Sequence, residues 1–553
     1  MRRWAAALVL TLCASAIWAQ KSSGMPSELR RPRLVVGLVV DQMRWDYLTR
    51  LSNRFGSDGF NRLMREGWNC NRTYINYLPS ITAVGHTSIY TGSVPAFTGI
   101  IGNHFYIGEK YTYCTRDESV RGVGTTGIGG FQNPNASGGQ QSPRNLLVTT
   151  ISDELRLATN FRSKVIGVAV KDRASILPAG HSANAAYWLD DHSNQFITST
   201  YYMEQLPQWV KDFNGKDLGN KYLAQLRNAR GGDLWPLLYD EKSYVQSAPR
   251  DQKWEDRVGQ SLKNSPWGMS ITFEMAKAAV EGENLGQNED GVPDMLCVSI
   301  SSTDILGHLL SPNSIWMEDL FLRLDQEVAS FLNFLDDKVG KDGYIFFLSA
   351  DHGGSHNPHF MQENHIEASG NVPTAQMKDD LNAALAKQFP AAGNAVERFA
   401  NMQVVFSPQA RQSSDFEAMR DAACKWLAAR PEIAYAFPAQ LPPDVLPEPV
   451  RTYCINGYCP GRSGDIQLVF QSGYVEDYGT AEQLAQPDHI RKGTTHSVWN
   501  PDDTHIPLIF MGMGVPHGWD NRTHHITDIA ATLASLLNIQ EPSGCVGQTI
   551  TFQ

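Results

Sequence analysis

The residues best suited to chemistry in this sequence are aspartates and histidines, most of which follow short apolar segments. Six of them stand out: Asp41, Asp304, His308, Asp351, His352 and His496. Asp304 and His308 are four residues apart, and this spacing places both side chains on one face of a helical turn, as for two ligands of one metal. A buried group of carboxylates needs cations to balance its charge. Mixed Asp and His ligation is more typical of zinc than of magnesium or calcium, which prefer oxygen ligands. These residues therefore predict a zinc site.

Two further segments carry polar residues close to apolar runs. Lys171 and Arg173 follow the run 165–170, and their separation of two residues lets both side chains point the same way. Asp172 lies between them, points elsewhere and is expected to be structural. Thr82 follows a Pro-Ser turn, and a Thr in such a position is by itself typical of a helix N-cap. Neither segment alone indicates catalysis.

The elements that must position these residues are predicted by five apolar runs, each typical of a buried parallel strand and separated from the next by helix-like segments. The runs cover residues 34–40, 165–170, 295–300, 344–348 and 506–510. Ligands of open α/β sheets bind beyond the carboxyl ends of the strands, where most of these polar residues lie. The predicted fold class is therefore α/β, with a doubly wound, mostly parallel sheet flanked by helices.

Residues 20–553 are expected to form one domain of this class with two insertions. The insertions, at about 185–290 and about 365–490, break the strand and helix pattern with Trp, Gly, Asn and Pro. We predict that they form a cap or a subsidiary lobe. Within the second insertion, a small strand-helix-strand unit is predicted over 402–406, 415–428 and 433–437.

Residues 1–19 have the layout of a cleaved secretory signal, because Arg2 and Arg3 precede an apolar run that ends in small residues. That run is shorter than the ~20 residues of a membrane span, and no later segment reaches this length. We therefore expect a periplasmic or secreted protein without a membrane span. In an oxidising compartment, Cys454 and Cys459 are the most plausible local disulfide, whereas Cys297 lies in an apolar run and is expected to stay a free thiol.

The overall charge argues against polyanionic partners. The formal net charge is −11, and nucleic acids or anionic membranes are bound through a positive field. We expect no nucleic-acid partner and a function that depends on a local site. A monomer is expected.

Taken together, the motifs resemble those of the alkaline phosphatase superfamily, and specifically its phosphate-irrepressible, PafA-type alkaline phosphatases. The resembling segments span nearly all of the chain after the signal, in the expected order. They are VVDQMRWDY (39–47), PSITAVGHTSIYTGSVPAFTGIIGN (79–103), KDRASILPAGH (171–181), SSTDILGH (301–308), SADHGG (349–354) and GTTHSVWNPDDTHIP (493–507).

The resemblance implies an exported hydrolase of small-molecule phosphate monoesters with two zinc ions. One zinc ion would be bound by Asp41, Asp351 and His352, and the other by Asp304, His308 and His496. The resemblance further implies that Thr82 is the nucleophile and forms a phosphothreonine intermediate, which water then hydrolyses. Asn103, Lys171 and Arg173 would contact the oxygens of the transferred phosphoryl group.

Three other functions are alternatives to this one. A nucleotide pyrophosphatase/phosphodiesterase is similar in its metal ligands, Thr and Asn, but a diester has one fewer charged oxygen and gains less from Lys171 and Arg173. A sulfatase is disfavoured, because the segment from Cys459 to Arg462 does not have the C-x-P-x-R spacing of its modified cysteine. A secreted binding protein with structural zinc would fold in a metal-dependent way without turnover.

Overall fold

A central sheet of eleven strands organises the part of the chain that the computed structural model describes, which is residues 31–125, 138–228, 235–245, 261–477 and 493–553. The segment 1–19, predicted to be a signal, lies outside these ranges. The strands of this sheet are β1 (Leu34–Val40), β2 (Trp68–Tyr74), β3 (Gly122–Val123), β4 (Val165–Ala169), β5 (Ala185–Leu189), β6 (Phe196–Ser199), β7 (Asp294–Ile300), β8 (Tyr344–Ser349), β9 (His505–Ile506), β10 (Leu508–Gly512) and β11 (Gly518–His525). They lie in the order β9-β2-β10-β8-β1-β7-β4-β5-β6-β3, and β11 also pairs with β2.

The middle of the sheet is parallel and buried. β8, β1, β7, β4 and β5 run in the same direction. Every residue of β1 is buried, which explains why its sequence is continuously apolar instead of alternating. Val39 lies opposite Ser349 of β8 and Ser299 of β7, so these three strands end at the same level. The predicted fold class, a mostly parallel sheet flanked by helices, is confirmed.

Helices cover the sheet and fill the connections between its strands. They are Asp46–Arg50, Phe60–Glu66, Thr82–Thr91, Pro95–Thr98, Ile151–Ala158, Asp172–Ala179, Gln208–Gly215, Leu218–Asn228, Trp267–Glu283, Ser302–Leu310, Ile315–Val339, Pro358–Glu363, Thr374–Gln388, Pro408–Arg411, Phe416–Ala428, Val450–Gly457, Pro501–Thr504 and Asp528–Leu537. The longest, Ile315–Val339, begins where the Ser314 side chain accepts a hydrogen bond from Met317 N and ends before Gly340. No helix among the described residues is both long and apolar enough to cross a membrane.

In the part of the chain that the structure describes, three smaller sheets lie outside the central one. A four-stranded sheet has the order Val396–Ala400, Gln403–Phe406, Ile466–Phe470 and Ile433–Pro438, and its strands pack with the helix Phe416–Ala428 around a separate apolar core. The predicted strand-helix-strand unit is thus present. Gly370–Pro373 pairs with Tyr474–Asp477, and His104–Ile107 forms a hairpin with Lys110–Tyr113. Within the first predicted insertion, β5 and β6 join the central sheet, and the exact domain boundaries stay a prediction.

Two local expectations were wrong. The run 506–510 was grouped with the parallel strands, but β10 is antiparallel to β8, with Phe347 opposite Phe510. A buried apolar run has the same composition in either direction, so its sequence does not encode the polarity of the strand. Cys454 and Cys459 are both free thiols. They pack in different apolar clusters, so closeness in sequence does not bring their sulfurs together. The prediction of a free, buried Cys297 is confirmed.

Candidate active site

The candidate site lies at the carboxyl edge of four neighbouring strands, β8, β1, β7 and β4. Asp41 follows β1 directly, and Asp351 follows β8 after one residue. Asp304 lies in the first turn of the helix Ser302–Leu310 after β7, and Lys171 follows β4. Because adjacent parallel strands end at one edge, residues far apart in the sequence meet there. All four side chains are buried.

Thr82 is the first residue of the helix Thr82–Thr91 and is buried. Ile81 occupies the N-cap position and the Thr82 side chain does not cap the helix, so the capping role expected of an isolated Thr does not apply. The Thr82 hydroxyl lies 3.4 Å from His352 Nε2. Gly85, one turn later, permits the helix to pack against the strand end, because a Cβ there would lie 2.1 Å from the carbonyl oxygen of Asp351. This close packing places the Thr82 hydroxyl inside the polar cluster.

The six predicted metal ligands all lie in this cluster. Ligand atoms of Asp304, His308 and His496 are within 4.8 Å of one another, and so are those of Asp41, Asp304 and His352. Asp304 is therefore common to both groups. Asp351 lies beside the second group, with its Oδ2 3.4 Å from His352 Nε2 and 3.1 Å from His86 Nδ1.

The histidine rings are oriented by backbone carbonyls. His308, His352 and His496 each bring Nδ1 within 2.7–2.9 Å of a carbonyl oxygen, those of Thr494, Gly353 and Ser80 respectively. A carbonyl only accepts, so each Nδ1 carries the proton and each Nε2 presents its lone pair to the cluster. This outer hydrogen bond is the usual way in which proteins fix a metal-binding imidazole. Burial lowers the pKa of His352 and His496, which favours their neutral form.

The carboxylates show where positive charge is needed. Lys171 Nζ donates to Asp41 Oδ2 at 2.6 Å and to Asp304 Oδ2 at 2.5 Å. Burial, with the neighbouring Asp304 and Asp351, nevertheless raises the pKa of Asp41 well above its usual range. Asp41 Oδ1 and Asp351 Oδ2 are buried without a hydrogen-bond partner. Buried carboxylate oxygens without a donor, facing neutral imidazoles, are the donor set that a divalent cation such as zinc requires.

Of the residues predicted to contact a phosphoryl group, Asn103 lies beside the start of the Thr82 helix. Asn103 Oδ1 accepts a hydrogen bond from the Ala83 backbone N–H at 3.2 Å, which orients the amide beside the first turn of the helix. Lys171 and Arg173 do not share one environment, because the helix Asp172–Ala179 begins between them. Lys171 reaches the carboxylates, whereas Arg173 Nη1 donates to the Tyr113 hydroxyl at 3.1 Å. Both cationic side chains are buried.

Sequence reasoning missed Gln42 and Tyr113. Gln42 Nε2 donates to Asp304 Oδ1 at 2.8 Å, and the Gln42 backbone N–H donates to Asp351 Oδ1 at 3.2 Å. One residue therefore donates hydrogen bonds to two carboxylates of the site. Its left-handed backbone (φ 62°) aims both donors into the site. The position of Gln42 directly after Asp41 was a usable signal, whereas nothing in the sequence connects Tyr113 with Arg173.

Comparison with known proteins agrees with this geometry. A family model described as type I phosphodiesterase / nucleotide pyrophosphatase matches residues 35–496. Alkaline phosphatase PafA of Elizabethkingia meningoseptica is 44% identical over 96% of each chain, and alkaline phosphatase PhoV of Synechococcus elongatus is 41% identical over 98% of each chain. The crystal structure of wild-type PafA superposes with a TM-score of 0.85 at 42% identity, over 96% of this chain and 99% of that one. A PafA variant with substitutions of one Thr, one Asn, one Lys and one Arg gives a TM-score of 0.84 at 41% identity over the same shares.

The chain belongs to the type I phosphodiesterase / nucleotide pyrophosphatase family. Within the alkaline phosphatase superfamily it is of the PafA type, and it is an enzyme of the phosphoric monoester hydrolase class. The resemblance drawn from the sequence motifs is therefore confirmed.

Proposed function

We propose that this protein is an exported, two-zinc alkaline phosphatase that transfers the phosphoryl group of a small-molecule phosphate monoester to Thr82 and then to water. The observation that carries the proposal is the position of the Thr82 hydroxyl, 3.4 Å from His352 Nε2 inside a buried group of carboxylates and imidazoles. A hydroxyl in such surroundings is suited to act as a nucleophile.

The proposed ligands are those implied by the motifs. Asp41, Asp351 and His352 would bind one zinc ion, and Asp304, His308 and His496 the other. The oxygens of Asp41 and Asp351 without a hydrogen bond, and the Nε2 atoms turned into the cluster, support this assignment. When bound, two zinc ions supply positive charge for the attacking and the leaving oxygen of an in-line displacement.

The side chains of this protein then have separate roles in the first step. The Thr82 oxygen forms a bond to phosphorus while the bond to the ester oxygen breaks. Asn103 already uses its Oδ1 to accept from Ala83 N, so its Nδ2 group is the one that can donate to a phosphoryl oxygen. Lys171 and Arg173 stabilise the negative charge on the remaining oxygens. Water next attacks phospho-Thr82, and inorganic phosphate leaves.

A phosphodiesterase activity is the alternative, and it is not favoured. A diester carries less charge than a monoester and gains less from two buried cations, here Lys171 and Arg173. Both curated relatives described above are named alkaline phosphatases. The four residue types substituted in the PafA variant are those of Thr82, Asn103, Lys171 and Arg173, which supports the roles proposed for them.

Export is proposed from the sequence of residues 1–19, whose basic, apolar and small-residue regions are those of a cleaved signal. An N-terminal sequence determined on protein recovered from the periplasm or the medium should begin near Gln20. Recovery of the full-length chain from the cytoplasm alone would contradict this part of the proposal.

The nucleophile is tested by replacing Thr82. Thr82→Ala should lower kcat for an aryl phosphate at least about 10³-fold, with zinc content and thermal unfolding unchanged, and Thr82→Ser should retain substantial activity. Acid quenching of the wild-type enzyme during turnover should trap phosphate on the peptide that contains Thr82, since a phosphothreonine ester survives acid. Near wild-type turnover by Thr82→Ala would mean that water attacks the substrate directly, and the covalent step would then be abandoned.

A further inference from the structure

One β-hairpin connects Asn103, which is proposed to hold the phosphoryl group, with Tyr113, which contacts Arg173. It starts immediately after Asn103 and ends at Tyr113, with His104 paired to Tyr113. Its base is closed by a hydrogen bond from Cys114 N to the Asn103 carbonyl at 2.9 Å. Asn103 and Tyr113 are therefore neighbours in space although nine residues of the chain lie between them.

Tyr113 meets Arg173 at the inner end of this hairpin. The Tyr113 hydroxyl accepts from Arg173 Nη1 at 3.1 Å and donates to Asp172 Oδ1 at 2.5 Å. Tyr113 is 3% exposed and Arg173 2% exposed, so water does not compete strongly for these hydrogen bonds. Asp172 Oδ1 also accepts from the Arg173 backbone N–H at 2.6 Å, which fixes the carboxylate. The chain Asp172–Tyr113–Arg173 thus links the start of a helix to the hairpin.

This arrangement differs chemically from a direct Asp–Arg ion pair. A carboxylate that pairs directly with a guanidinium frequently forms two parallel hydrogen bonds with it and neutralises the charge of the guanidinium. Here the group that contacts Arg173 Nη1 is the neutral phenol of Tyr113, whose hydroxyl accepts one hydrogen bond from it. The Tyr113 hydroxyl can therefore orient the guanidinium without neutralising it, as a group that receives a phosphoryl oxygen requires.

The outer face of the hairpin is fixed by the lobe that contains the four-stranded sheet. The Arg398 guanidinium lies 4.1 Å from the centroid of the Tyr111 ring. Asn401 Nδ2 donates to the His104 carbonyl at 2.8 Å, and the Tyr106 hydroxyl bonds the Glu397 carboxylate. The hairpin is held on both sides, so the position of the Tyr113 hydroxyl is set by the fold and not by the Tyr113 rotamer alone.

We propose that Tyr113 is a positioning residue that aims Arg173 at the transferred phosphoryl group, and that Tyr113 and Asp172 thereby contribute to the preference for phosphate monoesters over diesters. The proposal rests on the proposed role of Arg173 in phosphate monoester hydrolysis. It assigns a function to Asp172, which the sequence predicted to be only structural.

The test is a double-mutant cycle with Tyr113→Phe and Arg173→Ala in the zinc-loaded enzyme. Tyr113→Phe removes only the hydroxyl, and it should lower kcat/KM for an aryl phosphate monoester about tenfold, the effect of one lost hydrogen bond to a charged group. The loss for the matching aryl phosphodiester should be clearly smaller. In the Arg173→Ala background, Tyr113→Phe should have no further effect on the monoester, because the residue that it positions is gone.

Tyr106→Phe is the matched control, since it also removes a tyrosine hydroxyl and a hydrogen bond from this hairpin but at the Glu397 contact. It should leave the monoester-to-diester ratio unchanged. Asp172→Ala keeps Tyr113 but removes the acceptor of its hydroxyl, so it should shift the monoester-to-diester ratio in the same direction as Tyr113→Phe. Asp172→Asn keeps an oxygen acceptor and should therefore retain much of the monoesterase activity that Asp172→Ala loses. Thermal unfolding of each variant separates these effects from loss of the folded enzyme.

Equal losses from Tyr113→Phe in both backgrounds, or an unchanged monoester rate in Tyr113→Phe, would overturn the proposal while leaving the phosphatase activity of the wild type in place. An unchanged monoester rate in Arg173→Ala would overturn it together with the proposed role of Arg173. A wild-type enzyme without monoesterase activity would instead contradict the proposed function itself.

Discussion

The imidazole rings of His352 and His496 stack on each other, with centroids 3.6 Å apart and planes inclined by 22°. His352 follows the end of β8, whereas His496 comes from the polar loop that precedes β9. Each is proposed to bind a different zinc ion, so the two proposed metal sites are in direct contact through these stacked rings. The site therefore depends on the docking of a loop that is distant in sequence from the strand ends.

The first prediction concerns the metal. We expect the purified enzyme to contain about two zinc ions per chain, to lose its monoesterase activity on treatment with a chelator, and to recover it when zinc is added back. Elemental analysis and activity should be measured on the same samples. A fully active preparation without transition metal would refute the two-zinc assignment.

A single ligand substitution makes this prediction sharper. His496→Ala should reduce the zinc content toward one ion per chain, because Asp304 and His308 alone make an incomplete site. His359→Ala is the control, since His359 lies on an exposed helix face and pairs with Glu363 outside the cluster. An equal zinc content in His496→Ala and the wild type would remove His496 from the ligand set.

The second prediction concerns substrate charge. Replacing both Lys171 and Arg173 with Ala should lower kcat/KM for a monoester by about 10²-fold or more, and the loss for a diester should be much smaller. The reason is that the monoester presents an additional charged oxygen to these cations. Kinetics with an aryl phosphate and its diester give the ratio, and zinc content must be measured in parallel because Lys171 contacts Asp41 and Asp304. Equal losses for the two substrates would mean that the pair supports the site without setting its specificity.

The third prediction concerns stability and pH. Asp503 accepts hydrogen bonds from Val498 N and the Ser355 hydroxyl, and burial raises its pKa to about 8. An unfolded chain would release this proton near pH ~4. Between about pH 4 and about pH 8 the folded state therefore holds a proton that the unfolded state has lost, and stability falls as pH rises through this window and levels off above it.

Asp503→Asn cannot ionise, and its amide can keep an oxygen toward Val498 N while its Nδ2 group faces Ser355. The free energy of unfolding of the variant, relative to the wild type, should therefore increase from about pH 5 to about pH 8 and stay constant at higher pH. Urea unfolding at several pH values measures this difference. Parallel pH profiles for the two proteins would show that Asp503 ionises in the folded state as it does in the unfolded chain.

The sequence predicted the main strands and the identity of the chemical groups. Continuous apolar runs predicted β1, β4, β7 and β8 to within a residue or two. These are local properties, because burial on both faces of a strand or on one face of a helix is recorded in adjacent residues. Polar residues placed directly after those runs then indicated which edge of the sheet carries the site.

The tertiary structure alone set the contacts between these groups. It gave β10 the opposite direction to β8, kept Cys454 and Cys459 apart, and placed Asp304 between both groups of ligands. It also separated the partners of Lys171 and Arg173, which are two residues apart, and brought Tyr113 to Arg173 from sixty positions away. Hydrophobic periodicity determines which face of an element is buried. The distance between two buried polar atoms depends instead on how separate elements pack, and no local pattern in the chain encodes this packing.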